Sequence, residues 1–301
     1  MRNVVVTGGL GTAGTWVVDH LNRAGWNVTC IDLGTPAGAG PGGTVVDGVE
    51  FRKGDLTDHG QAWELVAESD PDAVVHMAAV PMAGIVSESR TFETNVTSTY
   101  NVLTAAGRVG ADVVWTSSDA VYGSVFADPP WLPDYLPVDE GHPCRPTDPY
   151  GTSKQVGENV AAMTARKHGV DVASLRPPLI EVPGEYRSAE RRAAFDPETA
   201  ERDGEYWSYV DVRDVARAVE AALTTDLGGH EAFLVAAADN CLDRPTASAI
   251  ESVYGDLPDD CEIEGDESAF SSAKARSVLG WEPRHGWRSA EDESVAPPSF
   301  D

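Results

Sequence analysis

Asn3-Val4-Val5-Val6-Thr7-Gly8-Gly9-Leu10-Gly11-Thr12-Ala13-Gly14 opens the chain with a β-branched run that breaks on Gly8, Gly11 and Gly14 and continues as a helical pattern over 12–24. A strand that ends on spaced glycines and opens a helix is the first half of a βαβ unit. Glycines permit the tight turn and let backbone approach a pyrophosphate, whose charge the free N–H groups of the helix N-terminus meet. A plain strand-to-helix turn is the alternative. The neighbouring segments decide between the two.

Valine-rich runs alternate with helical patterns as far as residue 180, with strands expected at 3–7, 26–32, 49–53, 73–76, 112–117 and 171–175 and helices near 12–24, 58–68, 90–108 and 148–168. That alternation predicts an α/β protein, a Rossmann-type doubly wound parallel sheet with a small C-terminal substrate-binding lobe. Pro177, Pro178, Pro183 and Gly184 open an Arg- and Glu-rich stretch outside the sheet. A helix over 209–223 and a strand over 232–236 return to it. The division is therefore 1–180, joined by 210–238, as the dinucleotide-binding domain, with 181–209 and 239–295 as the lobe.

The 22 basic and 49 acidic side chains give a net charge of −27, which repels nucleic acid and anionic membranes. Only Lys53, Lys154, Lys167 and Lys274 are lysines, and the surface resembles that of a salt-adapted, halophilic protein. Cys30, Cys144, Cys241 and Cys261 are widely spaced, so neither a metal site nor a disulfide framework is expected. Neither a signal sequence nor a membrane-length apolar run is present, and a cytoplasmic location is expected.

Asp32 closes the second strand, where a carboxylate can hydrogen-bond both hydroxyls of an adenosine ribose and repel a 2′-phosphate. With no arginine in the Leu33–Gly43 loop, NAD is favoured over NADP. Gly54-Asp55-Leu56 offers a second carboxylate at the sheet's carboxyl edge. Tyr150 and Lys154, four apart, share one helix face, so that the cation and a nicotinamide ring would lower the phenol's pKa and let it take a hydroxyl proton. Trp115-Thr116-Ser117-Ser118-Asp119-Ala120-Val121-Tyr122-Gly123 runs off the fifth strand, placing hydroxyls toward the same site.

In order along the chain, Thr7 to Gly14, Asp32, Asp55-Leu56, His76-Met77-Ala78-Ala79, Asn95, Ser117-Ser118 with Val121-Tyr122-Gly123, Tyr150 with Lys154, Arg176-Pro177-Pro178, Tyr209 to Ala216 and Lys274 to Trp281 resemble the extended short-chain dehydrogenase/reductase family, its epimerase/dehydratase group. The resemblance implies Tyr150 as catalytic base or acid, Lys154 as its partner and nicotinamide-ribose ligand, and Ser118 as the hydroxyl that orients substrate. It implies cofactor contacts from Gly8, Gly11, Thr12, Ala13, Gly14, Asp32, Asp55, Leu56, Met77, Ala78, Ala79, Asn95 and Pro178. A homodimer through helices 90–108 and 148–168 is implied in the same way.

In dehydratases of this group an Asp and a Glu stand side by side after the fifth strand, but here Asp119 is followed by Ala120, which disfavours dehydration. The short connection from Arg176 to Tyr209 resembles that of free-sugar and sugar-acid 1-dehydrogenases, in which a Tyr-Arg pair contacts the sugar, as Tyr186-Arg187 would. The expectation is an NAD-dependent aldose or sugar-acid 1-dehydrogenase with Asp119 and Arg187 on the substrate; the alternative is a nucleotide-sugar 4-epimerase with tightly bound NAD. A non-enzymatic redox sensor is disfavoured by the intact serine, tyrosine and lysine.

Overall fold

The computed structural model describes residues 2–36, the backbone of 45–46, and residues 48–82 and 84–300. In chain order the elements are β1 (Asn3–Thr7), α1 (Thr12–Arg23), β2 (Asn27–Asp32), β3 (Val45–Val46), β4 (Val49–Lys53), α2 (His59–Glu68), β5 (Ala73–His76), α3 (Glu88–Val109), β6 (Asp112–Thr116), α4 (Pro149–His168), β7 (Val172–Arg176), β8 (Leu179–Glu181), α5 (Ser188–Ala194), β9 (Tyr209–Asp211), α6 (Val212–Leu223), β10 (His230–Leu234), α7 (Thr246–Tyr254), α8 (Ala273–Leu279) and α9 (Trp287–Ala290). The sheet order is β10-β7-β6-β5-β1-β2-β4-β3, with seven parallel strands and β3 antiparallel at one edge. The strand order reverses beside β1, whose neighbours are β2 and β5. In doubly wound sheets, ligands bind at the carboxyl ends of strands at this switch point.

Period-two alternation sorts the strand residues onto two faces. Val4, Val6, Cys30, Phe51, Val75, Val114, Leu175 and Phe233 pack on one side with Val17, Val18 and Leu21 of α1 and Ala218, Val219 and Ala222 of α6. Val5, Ile31, Val74, Val113, Trp115 and Val172 pack on the other with Val66 of α2, Val102, Leu103 and Ala106 of α3, and Ala161 and Ala165 of α4. Both faces are covered, which is why β1 reads as an unbroken valine run.

A third apolar cluster gathers Leu136 and Val138 with Tyr186, Tyr206, Trp207, Tyr209, Ile250, Phe270 and Trp287. It lies at the carboxyl end of β6, reached through Val121 and Tyr122. The predicted helix over 209–223 starts only at Val212: Tyr209–Asp211 is instead a strand paired with Leu179–Glu181, and Asp211 caps α6 by accepting from Arg213 N. The last strand of the main sheet lies at 230–234 rather than 232–236. Among the described residues no helix is long and apolar enough to cross a membrane, and the four cysteines are free.

Candidate active site

The glycine turn is pressed against the next strand end. Gly8 has φ +71°, and a Cβ there would lie 2.6 Å from both the amide nitrogen and the Cα of Ala78. The Gly11 amide donates to the Gly8 carbonyl at 3.1 Å and closes the turn, while a Cβ on Gly14 would run into that same carbonyl. Gly11 is the N-cap of α1 and brings no side chain, and the first turn has no acidic residue. The amides of Thr12 and Ala13 therefore meet solvent without a side-chain cap, the arrangement that suits a pyrophosphate.

Asp32 is fixed beside this turn, accepting from Leu10 N at 3.0 Å on one oxygen and from Leu33 N at 2.7 Å on the other. Met77, Ala78 and Ala79 leave β5 partly exposed, with Met77 N bound to the Thr7 carbonyl at 3.0 Å. The glycine cradle, the uncapped amides and Asp32 fit a dinucleotide laid across β1, β2 and β5. The loop expected to lack a phosphate-binding arginine continues into residues 37–43, which lie outside the described residues.

Other residues from the expected cofactor set have internal partners. The exposed Asp55 spends one oxygen on the amide and hydroxyl of Thr57, which hold its carboxyl below the ordinary range. The Leu56 side chain is buried, and its carbonyl accepts from Asn101. Asn95 is buried and clamps Val80 through both its amide and carbonyl, donating also to Ser153 Oγ at 3.2 Å. Its polar atoms thus order the segment after Ala79. Pro178 is buried just beyond β7, and the neighbouring Pro177 carbonyl accepts from Asp119 N.

Tyr150 and Lys154 stand on the first turns of α4. Asp148 caps that helix by accepting from the amides of Tyr150 and Gly151, with Pro149 as the first helical residue. Gly151 allows a close approach, since a Cβ there would lie 2.5 Å from the Ala120 carbonyl. Lys154 Nζ donates to the Thr116 carbonyl at 2.6 Å and lies 5.4 Å from the ring centroids of both Trp115 and Tyr150. Burial pulls its pKa down to about 8. The expected lowering of the Tyr150 pKa is not seen in the protein alone: burial pushes the phenol above 10, and the nearby Ser118 hydroxyl offsets only part of that. His76, joined to Thr7 and Thr99, is pulled down to about 3 by burial and the Lys154 charge, and is neutral.

Ser118 caps a 3-10 turn over Asp119–Tyr122, accepting from Ala120 N at 3.1 Å and donating to Asp119 Oδ1 at 3.0 Å. The other Asp119 oxygen is buried and unpartnered. Burial raises the Asp119 pKa well above 3.8, and Glu205 and Asp203 raise it further. Glu205 is itself raised to about 7, by burial and then by Asp203, with Arg191 opposing. Arg191 bonds Asp203 at 3.1 Å and Glu205 at 3.0 Å. Two carboxyls distant in sequence, Glu205 and Asp203, thus bring negative charge to bear on Asp119. Sequence reasoning missed Glu205 because, although Gly204 marks a turn, the following Tyr206 and Trp207 also take positive φ, 52° and 58°, which their residue types do not announce.

The two members of the Tyr186-Arg187 pair are placed apart, one buried and one exposed. Tyr186 is buried and donates to Asp211 Oδ2 at 2.6 Å, since the β8–β9 pair carries Asp211 beneath it. Arg187 is exposed, donates to the Ile180 carbonyl at 3.1 Å and borders an open groove of about 410 Å³ with Glu185, Glu190, Glu291 and Asp292. Its charge still reaches Glu205, whose pKa it lowers. Among the described residues no group of three or more His, Cys, Asp or Glu is placed to hold a metal.

The profile of the NAD dependent epimerase/dehydratase family matches residues 4–236. A UDP-glucose 4-epimerase of Rhizobium meliloti is 28% identical over 94% of this chain and 93% of its own. One of Streptomyces lividans is 32% identical over 65% of this chain, a match that takes in only 56% of that enzyme. Among solved structures, the UDP-glucose 4-epimerase of Thermotoga maritima with UDP-glucose superposes with a TM-score of 0.71 at 25% identity, covering 96% of each chain.

Proposed function

The chain belongs to the NAD-dependent epimerase/dehydratase family, and from that premise we propose that it oxidises and reduces a carbinol carbon of a sugar. The convergence of Ser118, Tyr150 and Lys154 on the carboxyl edge of β6, beside the glycine turn, carries this reading. When bound, NAD supplies the hydride acceptor. Tyr150 takes the substrate hydroxyl proton, Lys154 places a cation beside the phenol, and Ser118, whose hydroxyl hydrogen-bonds Asp119 in the free protein, turns that hydrogen to the substrate oxygen when substrate binds.

For the net reaction, the relatives support nucleotide-sugar 4-epimerisation better than the sugar 1-dehydrogenase expected from the short lobe. A 4-epimerase would release no net NADH, whereas a 1-dehydrogenase would release one for each sugar oxidised. One observation favours the dehydrogenase as a second reading. Asp119 and Glu205 both act on Tyr150, and Asp203 shares Arg191 with Glu205; such a group of carboxyls receives the hydroxyls of a free sugar more readily than a diphosphate. A homodimer belongs to the same proposal: α3 and α4 pack side by side, and Tyr100 and Val109 are exposed on α3.

The deciding experiment incubates the protein with NAD and either UDP-galactose or a panel of pentoses, hexoses and uronates in molar salt. Interconversion of UDP-galactose and UDP-glucose without net NADH supports the epimerase. Stoichiometric NADH on a free sugar supports the dehydrogenase. Neither activity on any member of the panel would overturn the reading of a sugar carbinol as substrate.

A further inference from the structure

Three consecutive residues at the end of β6 meet one face of α4, and two of them are hydrogen-bonded to it. The Thr116 carbonyl accepts from Lys154, Ser117 Oγ donates to Glu158 Oε1 at 2.7 Å, and the Ser118 hydroxyl lies close enough to Tyr150 to act on the phenol's pKa. Tyr150, Lys154 and Glu158 are spaced by four, so they form one stripe along the helix. The first and second of these carry the proposed chemistry; the third has no part in it.

Glu158 is held from the far side. Arg176, at the end of β7, grips it with a two-pronged fork, Nη2 to Oε2 at 2.6 Å and Nε to Oε1 at 2.8 Å. The third guanidinium nitrogen donates to Tyr122 Oη at 2.9 Å, and Tyr122 Oη donates to the Asp139 carbonyl at 2.9 Å. The side chains of Arg176 and Glu158 are only 6% and 11% exposed. A buried pair is a poor source of net stability, because desolvation offsets its attraction. What such a fork offers is direction: it fixes where a carboxylate sits to a fraction of an ångström.

We propose that Glu158, gripped by Arg176, is the positioning residue that sets the register of α4 against the end of β6 and so keeps Ser118 opposite Tyr150 and Lys154 on Thr116. Beside it, Gly157 lies flat on Trp115, where a side chain would clash with the indole, so the register is not enforced by bulk on that side. This inference rests on the proposed roles of Ser118, Tyr150 and Lys154.

The test reads Lys154 directly, in protein carrying 13C-labelled lysine, from the Cε titration of four lysines. In the native chain Lys154 titrates near 8. Its surroundings are the Trp115 and Tyr150 rings, the Thr116 carbonyl and neutral His76. Ser117→Ala cuts only the tie to the strand; Glu158→Gln also loosens the fork. Removing an anion at 158 acts by charge alone to lower the Lys154 midpoint, whereas slippage of α4 lets water reach the ammonium and raises it toward 10.5. The expected result is a rise of about one unit in Glu158→Gln and a smaller rise in Ser117→Ala, with kcat on the substrate of the native enzyme falling about tenfold or more and the Kd for NAD changing less than about threefold. A Lys154 midpoint unmoved or lowered in both folded variants would overturn the proposal. Because the titration uses no substrate, it fails or succeeds separately from the assignment of the reaction.

Discussion

Ser118 donates to Asp119 Oδ1 at 3.0 Å, and the second oxygen of that carboxyl is buried without a partner. A carboxyl so placed, near Glu205 and Asp203, is held toward its protonated form. The pairing therefore gives the serine a fixed acceptor, which directs its remaining lone pair and hydrogen-bonding capacity toward Tyr150.

Asp119→Asn should retain activity within about threefold near pH 6, because an amide reproduces the shape and the accepting oxygen of a protonated carboxyl. Asp119→Ala removes the acceptor and should lower kcat about tenfold or more through misorientation of Ser118. Equal losses in the two variants would mean that the anionic charge, not the acceptor, is what the reaction uses.

Tyr150→Phe removes the proton carrier and little surface. A loss of about 100-fold or more in kcat is expected, with NAD binding by calorimetry nearly intact. Near-native turnover in this variant would refute the assignment of the base.

Asp32 accepts from Leu10 N and Leu33 N, so its carboxylate is immobilised beside the glycine turn, where the proposed role would set it against a 2′-phosphate. Asp32→Ala should weaken NAD and narrow its advantage over NADP, measured as the ratio of the two KM values. An unchanged ratio would place the selectivity in another residue.

The sheet could be read from the chain because valine runs buried on both faces leave no other solution, and the glycines of the first turn mark a contact, with Ala78, that any side chain would prevent. Helical spacing put Tyr150 and Lys154 on one face, as the structure has them, and the glycine turn and serine segment ahead of them gave the pair its weight. Asp203 and Glu205 were not, since they reach the site by a turn of Tyr206 and Trp207 in a backbone region that neither residue advertises. The setting of the Tyr186-Arg187 pair was hidden for a related reason: nothing in the local sequence told that Tyr186 would bond Asp211 and leave the arginine at the surface. Tyr209–Asp211 reads as helix by its apolar spacing and became a strand only because Leu179–Glu181 lies beside it.

Salt should raise stability. With 49 carboxylates facing 22 cations, screening at molar monovalent salt relieves self-repulsion, and the melting temperature should climb between dilute and molar conditions. A melting temperature that stays level or falls would count against salt adaptation.

Burial of Glu205 leaves a signature in the pH dependence of folding. Its folded pKa of about 7 lies above its ordinary 4.5, so between those values the folded chain binds more protons than the unfolded one. Stability tied to this group is therefore full below pH 4.5 and is lost as pH rises through 7. Glu205→Gln removes the titration while keeping an acceptor for Arg191, which also retains Asp203. The variant should gain melting temperature over the native chain at pH 8 by a few degrees, at roughly 2–4 °C per kcal/mol for a domain of 150–250 residues and less for a longer chain. At pH 5 the gain should shrink toward zero, because the native carboxyl is then already protonated. A variant less stable at pH 8 than the native chain would show that attraction to Arg191 outweighs the cost of burying the charge, and that Glu205 is ionised in the folded protein at neutral pH.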